Sequence, residues 1–133
     1  MIFVDTSFWV GLTIPSDDRH SAARQLMADH SGARLLTSSH VRGETWTLLR
    51  RRVGHRIGVA FLDRIERTRR LEIVLTTEPL EREALAWLRR HDEREYSFVD
   101  ATSFALMLSL GIREALAFDG DFEAAGFVEL QPT

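Results

Sequence analysis

The chain contains no cysteine. Disulfide cross-links, thiolate zinc sites and cysteine nucleophiles are therefore all excluded, and any metal must be held by oxygen or by histidine. Lysine is absent too, so all 17 basic residues are arginine. No apolar run approaches the roughly 20 residues that cross a bilayer. Met1 leads directly into an apolar segment, without the basic stretch of a secretory signal. These two absences predict a cytoplasmic protein without membrane association. Repeats, linkers and low-complexity segments are also missing. What remains is 133 residues, 44% hydrophobic and 28% charged, which predicts one globular domain over residues 1–133, long enough to bury a core.

The net charge of -3 conceals an asymmetry. Between Arg42 and Arg70, nine arginines face only Glu44, Asp63 and Glu66, a local balance of +6, which leaves -9 for the remainder. An all-arginine complement is explained by genome composition as well as by function. The functional reading is a phosphate-facing patch, because the guanidinium fork matches phosphate oxygens in a bidentate way. Arg42, Arg50, Arg51, Arg52 and Arg56 are the candidates, and a solvated helix face accounts for them equally well.

Met1 to Val4 is a continuous apolar run that reads as a strand buried on both faces, and it ends in Asp5. In open α/β sheets the carboxyl edge of the strands is where ligands bind. Further strands are predicted at 33–37, 71–75, 115–118 and 127–130. Helices are predicted from Phe8 to Leu12, from a Ser16 cap to Asp29, from a Ser38 or Ser39 cap to Val53, over 55–70, from a Thr77 cap onward, and over 98–110. Alternating strands and helices indicate an α/β fold with a central, mainly parallel sheet of four to five strands flanked by helices.

Four carboxylates stand out by position. Asp5 and Asp119 each follow an apolar strand, where a turn or helix cap explains either one alone. Glu44 lies three residues after Val41 and four before Leu48, which places it on a core-facing helix stripe. A charge there needs a partner, either an arginine or a metal. Asp100 follows Ser97 by three, the spacing of a capping box. Asp121, two residues beyond Asp119, reads as peripheral. Taken together, two strand ends and two helix faces each offer one acid to the same sheet edge. Oxygen-only ligation of this kind suits Mg²⁺ or Mn²⁺, and such ions assist phosphodiester hydrolysis. The five histidines show no metal-ligand spacing, which disfavours a histidine-based nuclease.

Asp5-Thr6-Ser7, the helical Glu44, Ser97-Phe98-Val99-Asp100-Ala101 and Phe118-Asp119-Gly120-Asp121-Phe122 resemble, in order and spacing, the PIN-domain nucleases, and among them the VapC-type toxins of bacterial toxin-antitoxin pairs. The resemblance spans nearly the whole chain. It implies a single PIN-like domain and a metal-dependent endoribonuclease in which Asp5, Glu44, Asp100 and Asp119 bind Mg²⁺ or Mn²⁺. It also implies an RNA substrate, a cognate antitoxin and a homodimer, for which Trp9 or the Trp46 region could serve, while Phe8 is expected in the core. One position departs from the pattern. The last motif of the family usually carries Thr or Ser two residues before the Asp, and here Ala117 stands there. Thr6, Ser7 or Asp121 could replace that hydroxyl. An impaired PIN-like domain that binds RNA or a protein without cleaving is the alternative. A signalling receiver domain is disfavoured by the missing lysine, and a flap nuclease acting on DNA by the absence of room for clamp or arch insertions.

Overall fold

The computed structural model describes residues 1–133. Five strands form one sheet: β1 (Ile2–Val4), β2 (Leu35–Ser38), β3 (Leu71–Val74), β4 (Glu114–Leu116) and β5 (Val128–Glu129). Their order is β3-β2-β1-β4-β5, and every pairing is parallel. Helices α1 (Thr6–Thr13), α2 (His20–Asp29), α3 (Ser39–Val53), α4 (His55–Arg67), α5 (Glu78–Arg90), α6 (Phe98–Leu110) and α7 (Asp121–Ala124) connect and flank them. Parallel neighbours require such crossovers, and helices on the faces explain why Ile2, Phe3 and Val4 are all buried without alternation.

The helix ends follow from local chemistry. Ser38 accepts from the Val41 amide and caps α3, and Thr77 caps α5. Ser97 and Asp100 form the expected capping box of α6, and Gly111 closes that helix with φ +69°. At α2 the structure departs from expectation, because Ser16 is not the cap. Asp17 accepts from the Arg19 amide at 2.8 Å and folds residues 15–19 into turns, so the helix starts only at His20. The short α7 was not expected; it follows Gly120, whose φ of +81° turns the chain immediately after Asp119.

Phe8 and Trp9 are both buried, so Trp9 belongs to the core with Phe8. Trp46 is half-buried and packs against Gly58, where an added Cβ would lie 2.7 Å from its ring. That close approach joins α3 to α4. No helix is long and apolar enough to cross a membrane.

Candidate functional site

From β1 the sheet runs to β2 on one side and to β4 on the other, so the strand order reverses between β1 and β4. A crevice opens at the carboxyl ends of strands at such a point. Asp5 leaves β1 there as the cap of α1, with only 2% of its surface exposed. Its Oδ2 accepts from the Ser7 amide at 3.1 Å and from Ser7 Oγ at 2.8 Å. Ser7 Oγ in turn accepts from the Phe118 amide at 3.0 Å. One serine thus ties the end of β1 to the segment that carries Asp119.

Burial, followed by the charge of Asp119, pushes the Asp5 carboxyl up to about 7 against the opposing hydrogen bonds from Ser7. Asp100, buried at the start of α6, is raised by desolvation, partly offset by the Ser97 amide, while the charges of Asp121 and Glu44 add to the rise. Asp119 is exposed as a whole residue, yet its carboxyl rises to about 6, chiefly through desolvation. The Asp121 amide opposes that rise, and the charges of Asp121, Asp100 and Glu129 add to it. Acids crowded in this way raise one another's pKa unless a cation sits between them.

All four acids expected from the sequence line one cleft of about 430 Å³. The tightest cluster, however, is Asp100, Asp119 and Asp121, with one oxygen of each lying within 4.8 Å of the others. The expectation that Asp121 is peripheral is therefore corrected. It opens α7, and the turn at Gly120 brings it back beside Asp119. Glu44 projects into the same cleft from α3, on the face it shares with Leu48 and Arg52.

Three groups with no evident signal in the sequence surround this arrangement, and two of them brace it. Arg94 donates from Nε to Asp121 at 2.6 Å and from a terminal nitrogen to the Asp119 carbonyl at 3.0 Å. Glu129, buried at the end of β5, accepts from the amides of Gly120 and Glu123 at 3.3 and 3.0 Å. Arg19 reaches the cleft with its guanidinium 5.4 Å from the Phe118 ring centroid. Of the five candidate phosphate-binding arginines, only Arg52 lines the cleft. Arg50, Arg51 and Arg56 are exposed elsewhere on the α3–α4 hairpin, and Arg42 is half-buried outside the cleft.

The donor set fits a hard divalent cation. It is made of carboxylate oxygens with no histidine or sulfur among them, and Thr6 Oγ1 is buried at the cleft without a hydrogen-bond partner. At position 117 the buried alanine offers no hydroxyl, and the second carboxylate of the last motif, Asp121, stands beside Asp119 instead. A larger groove of about 1020 Å³ passes Met1, Leu110 and Val128, but it is mostly apolar and lacks converging acids. Chemistry rather than volume selects the smaller cleft.

The PIN domain family model matches residues 2–128. The chain is 58% identical over 133 residues to the 23S rRNA-specific endonuclease VapC20 of two Mycobacterium tuberculosis strains, covering 99% of both sequences in each comparison. The crystal structure of Mycobacterium tuberculosis VapC20, described as a sarcin-ricin loop cleaving toxin, superposes with a TM-score of 0.94 at 55% identity. That match covers 99% of this chain and 100% of the other.

Proposed function

Because this chain belongs to the PIN domain family, we propose that it is a metal-dependent endoribonuclease, the toxin of a type II toxin-antitoxin pair, that hydrolyses a phosphodiester bond in the sarcin-ricin loop of 23S rRNA. The observation that carries this reading is the convergence of Asp5, Glu44, Asp100 and Asp119 from four separate elements into one cleft. Similarity at 58% identity over nearly the full length to a 23S rRNA-specific endonuclease supports the substrate. The chain acts as a single domain over residues 1–133 in the cytoplasm, where its ribosomal target resides.

Asp5, Glu44, Asp100 and Asp119 would hold Mg²⁺ or Mn²⁺, with Asp121 in place of the hydroxyl missing at Ala117. When bound, such an ion supplies Lewis-acid stabilisation of phosphate charge and lowers the pKa of water. The protein's own groups do the positioning. Ser7 fixes the Asp5 carboxylate, and Arg94 and Glu129 hold the Asp119–Asp121 loop. Arg52 faces the backbone of the bound strand. Hydrolysis at phosphorus with departure of the 3′ oxygen needs no ribose 2′-hydroxyl, so preference for RNA comes from contacts and shape.

Seven carboxylates line the cleft against Arg19 and Arg52 alone. This excess of negative charge, with the -9 balance outside residues 42–70, suits a basic antitoxin segment that enters the site. The homodimer implied by the family resemblance belongs to the same proposal.

The test is cleavage of ribosomal RNA by the purified protein with Mg²⁺, Mn²⁺ or EDTA, alongside Asp100→Asn, with fragment ends sequenced. Metal-dependent cuts with 5′-phosphate ends that vanish in the variant are expected. No cutting under any metal, by folded protein free of antitoxin, would replace this reading with a partner-binding domain disabled at its last motif.

A further inference from the structure

The cleft holds only two cations, and one of them is built into place. Asp17 locks the Arg19 backbone through the amide contact at 2.8 Å. Gly11 lets the arginine approach, since a Cβ there would stand 3.2 Å from Arg19 Cβ and 3.3 Å from the Phe118 ring. The guanidinium then lies over Phe118, whose other neighbour is the stacked ring of Phe8. Phe118 directly precedes Asp119, and Arg19 lines the same cleft as the acidic cluster, which puts a permanent positive charge on its wall. Despite seven carboxylates lining the cleft, none of the structure's four ion pairs includes Arg19. With its guanidinium over an aromatic ring and outside every ion pair, Arg19 keeps its N–H donors available to a ligand.

We propose that Arg19 is a substrate-contacting residue, gripping the non-bridging oxygens of an RNA backbone phosphate next to the scissile bond, with Arg52 as the second cation of the cleft. This assignment rests on the reading of the cleft as an RNA-hydrolysing site. Phosphate oxygens accept a bidentate fork, and they are the ligand that enters this cleft once its acids are neutralised by a divalent ion. Arg19 lies outside the arginine-rich segment 42–70, so the strand is held from two distant parts of the chain. Phe118 and Gly11 act through Arg19 by fixing its orientation.

The experiment measures binding of a single-stranded sarcin-ricin oligonucleotide to Asp100→Asn protein in Mg²⁺ over a salt series, with and without Arg19→Gln or Arg19→Lys. Mn²⁺ titration and wild-type cleavage run in parallel. Losing a charge-assisted phosphate contact should weaken RNA binding by about ten- to a hundredfold. It should also reduce the salt slope by about 0.7 in Arg19→Gln. Arg19→Lys, which keeps the charge without the planar fork, should retain the slope and recover part of the affinity. Mn²⁺ affinity should not fall in either variant, since removing a cation from the cleft can only favour a divalent ion. RNA affinity and slope unaltered by Arg19→Gln, or an effect confined to Mn²⁺ binding, would overturn the assignment. Wild-type protein that cuts no RNA would overturn the reading of the site itself, which separates the two failures.

Discussion

Replacing Asp5 with asparagine should stabilise the metal-free protein at alkaline pH while removing its activity. In the unfolded chain this carboxyl titrates near 3.8; in the fold, burial and the charge of Asp119 raise it to about 7. Between those values the folded state binds a proton that the unfolded state has released, so the contribution of Asp5 to stability is fully present below 3.8. It is lost as pH rises through 7. The whole displacement corresponds to roughly 4 kcal/mol, of which about 3 kcal/mol falls between pH 5 and pH 8. These figures are upper bounds, because water entering the open cleft screens part of the charge. Asparagine keeps the shape and can still accept from Ser7, but it carries no charge. Urea denaturation in EDTA at the two pH values should show wild-type stability falling by up to this amount relative to the variant, with pH effects from other groups cancelling in the comparison. Saturating Mn²⁺ at pH 8 should restore wild-type stability by mass action and do less for the variant. Parallel pH profiles for the two proteins would refute the argument that this carboxylate is held at a cost to the fold.

Asp100→Asn should abolish RNA cleavage with the thermal midpoint little changed, since asparagine can still accept from the Ser97 amide in the capping box; kinetics and calorimetry together check this. Ser7→Ala removes the group bridging Asp5 and the Phe118 amide and should cost about 1–3 kcal/mol in urea denaturation, because a donor and a buried carboxylate both lose a partner. Arg94→Gln should weaken Mn²⁺ binding by about tenfold in titration calorimetry, as expected when a group orienting a ligand loop is lost; tighter Mn²⁺ binding would show that Arg94 competes with the cation instead.

The elements legible in the sequence are those whose causes lie close together along the chain. The apolar run Ile2–Val4 marks a strand buried on both faces, and the Ser97–Asp100 spacing marks a capping box. Arg70 shows where legibility stopped. Counted in the sequence as part of a basic patch, it is tied in the structure to the carbonyls of His30 and Ala33, bracing the turn after α2. A charge count does not distinguish a free arginine from one already engaged across 40 positions.

The sequence by itself determined the alternation of strands and helices and most of the caps, because apolar runs and capping are short-range interactions written in contiguous residues; it singled out Asp5, Glu44, Asp100 and Asp119 as candidates only through their positions and the family resemblance. Only the tertiary structure decided that Asp121 joins Asp100 and Asp119 and that Arg19 faces the same cleft. Tertiary structure alone also decided that Arg94 and Glu129 steady the loop between Asp119 and Asp121. Those outcomes depend on the order β3-β2-β1-β4-β5, which sets the ends of β1 and β4 side by side and lets Ser7 bond to Phe118, 111 residues away. Which distant strand becomes a neighbour depends on how the whole set of apolar faces packs, and no local stretch of sequence encodes it.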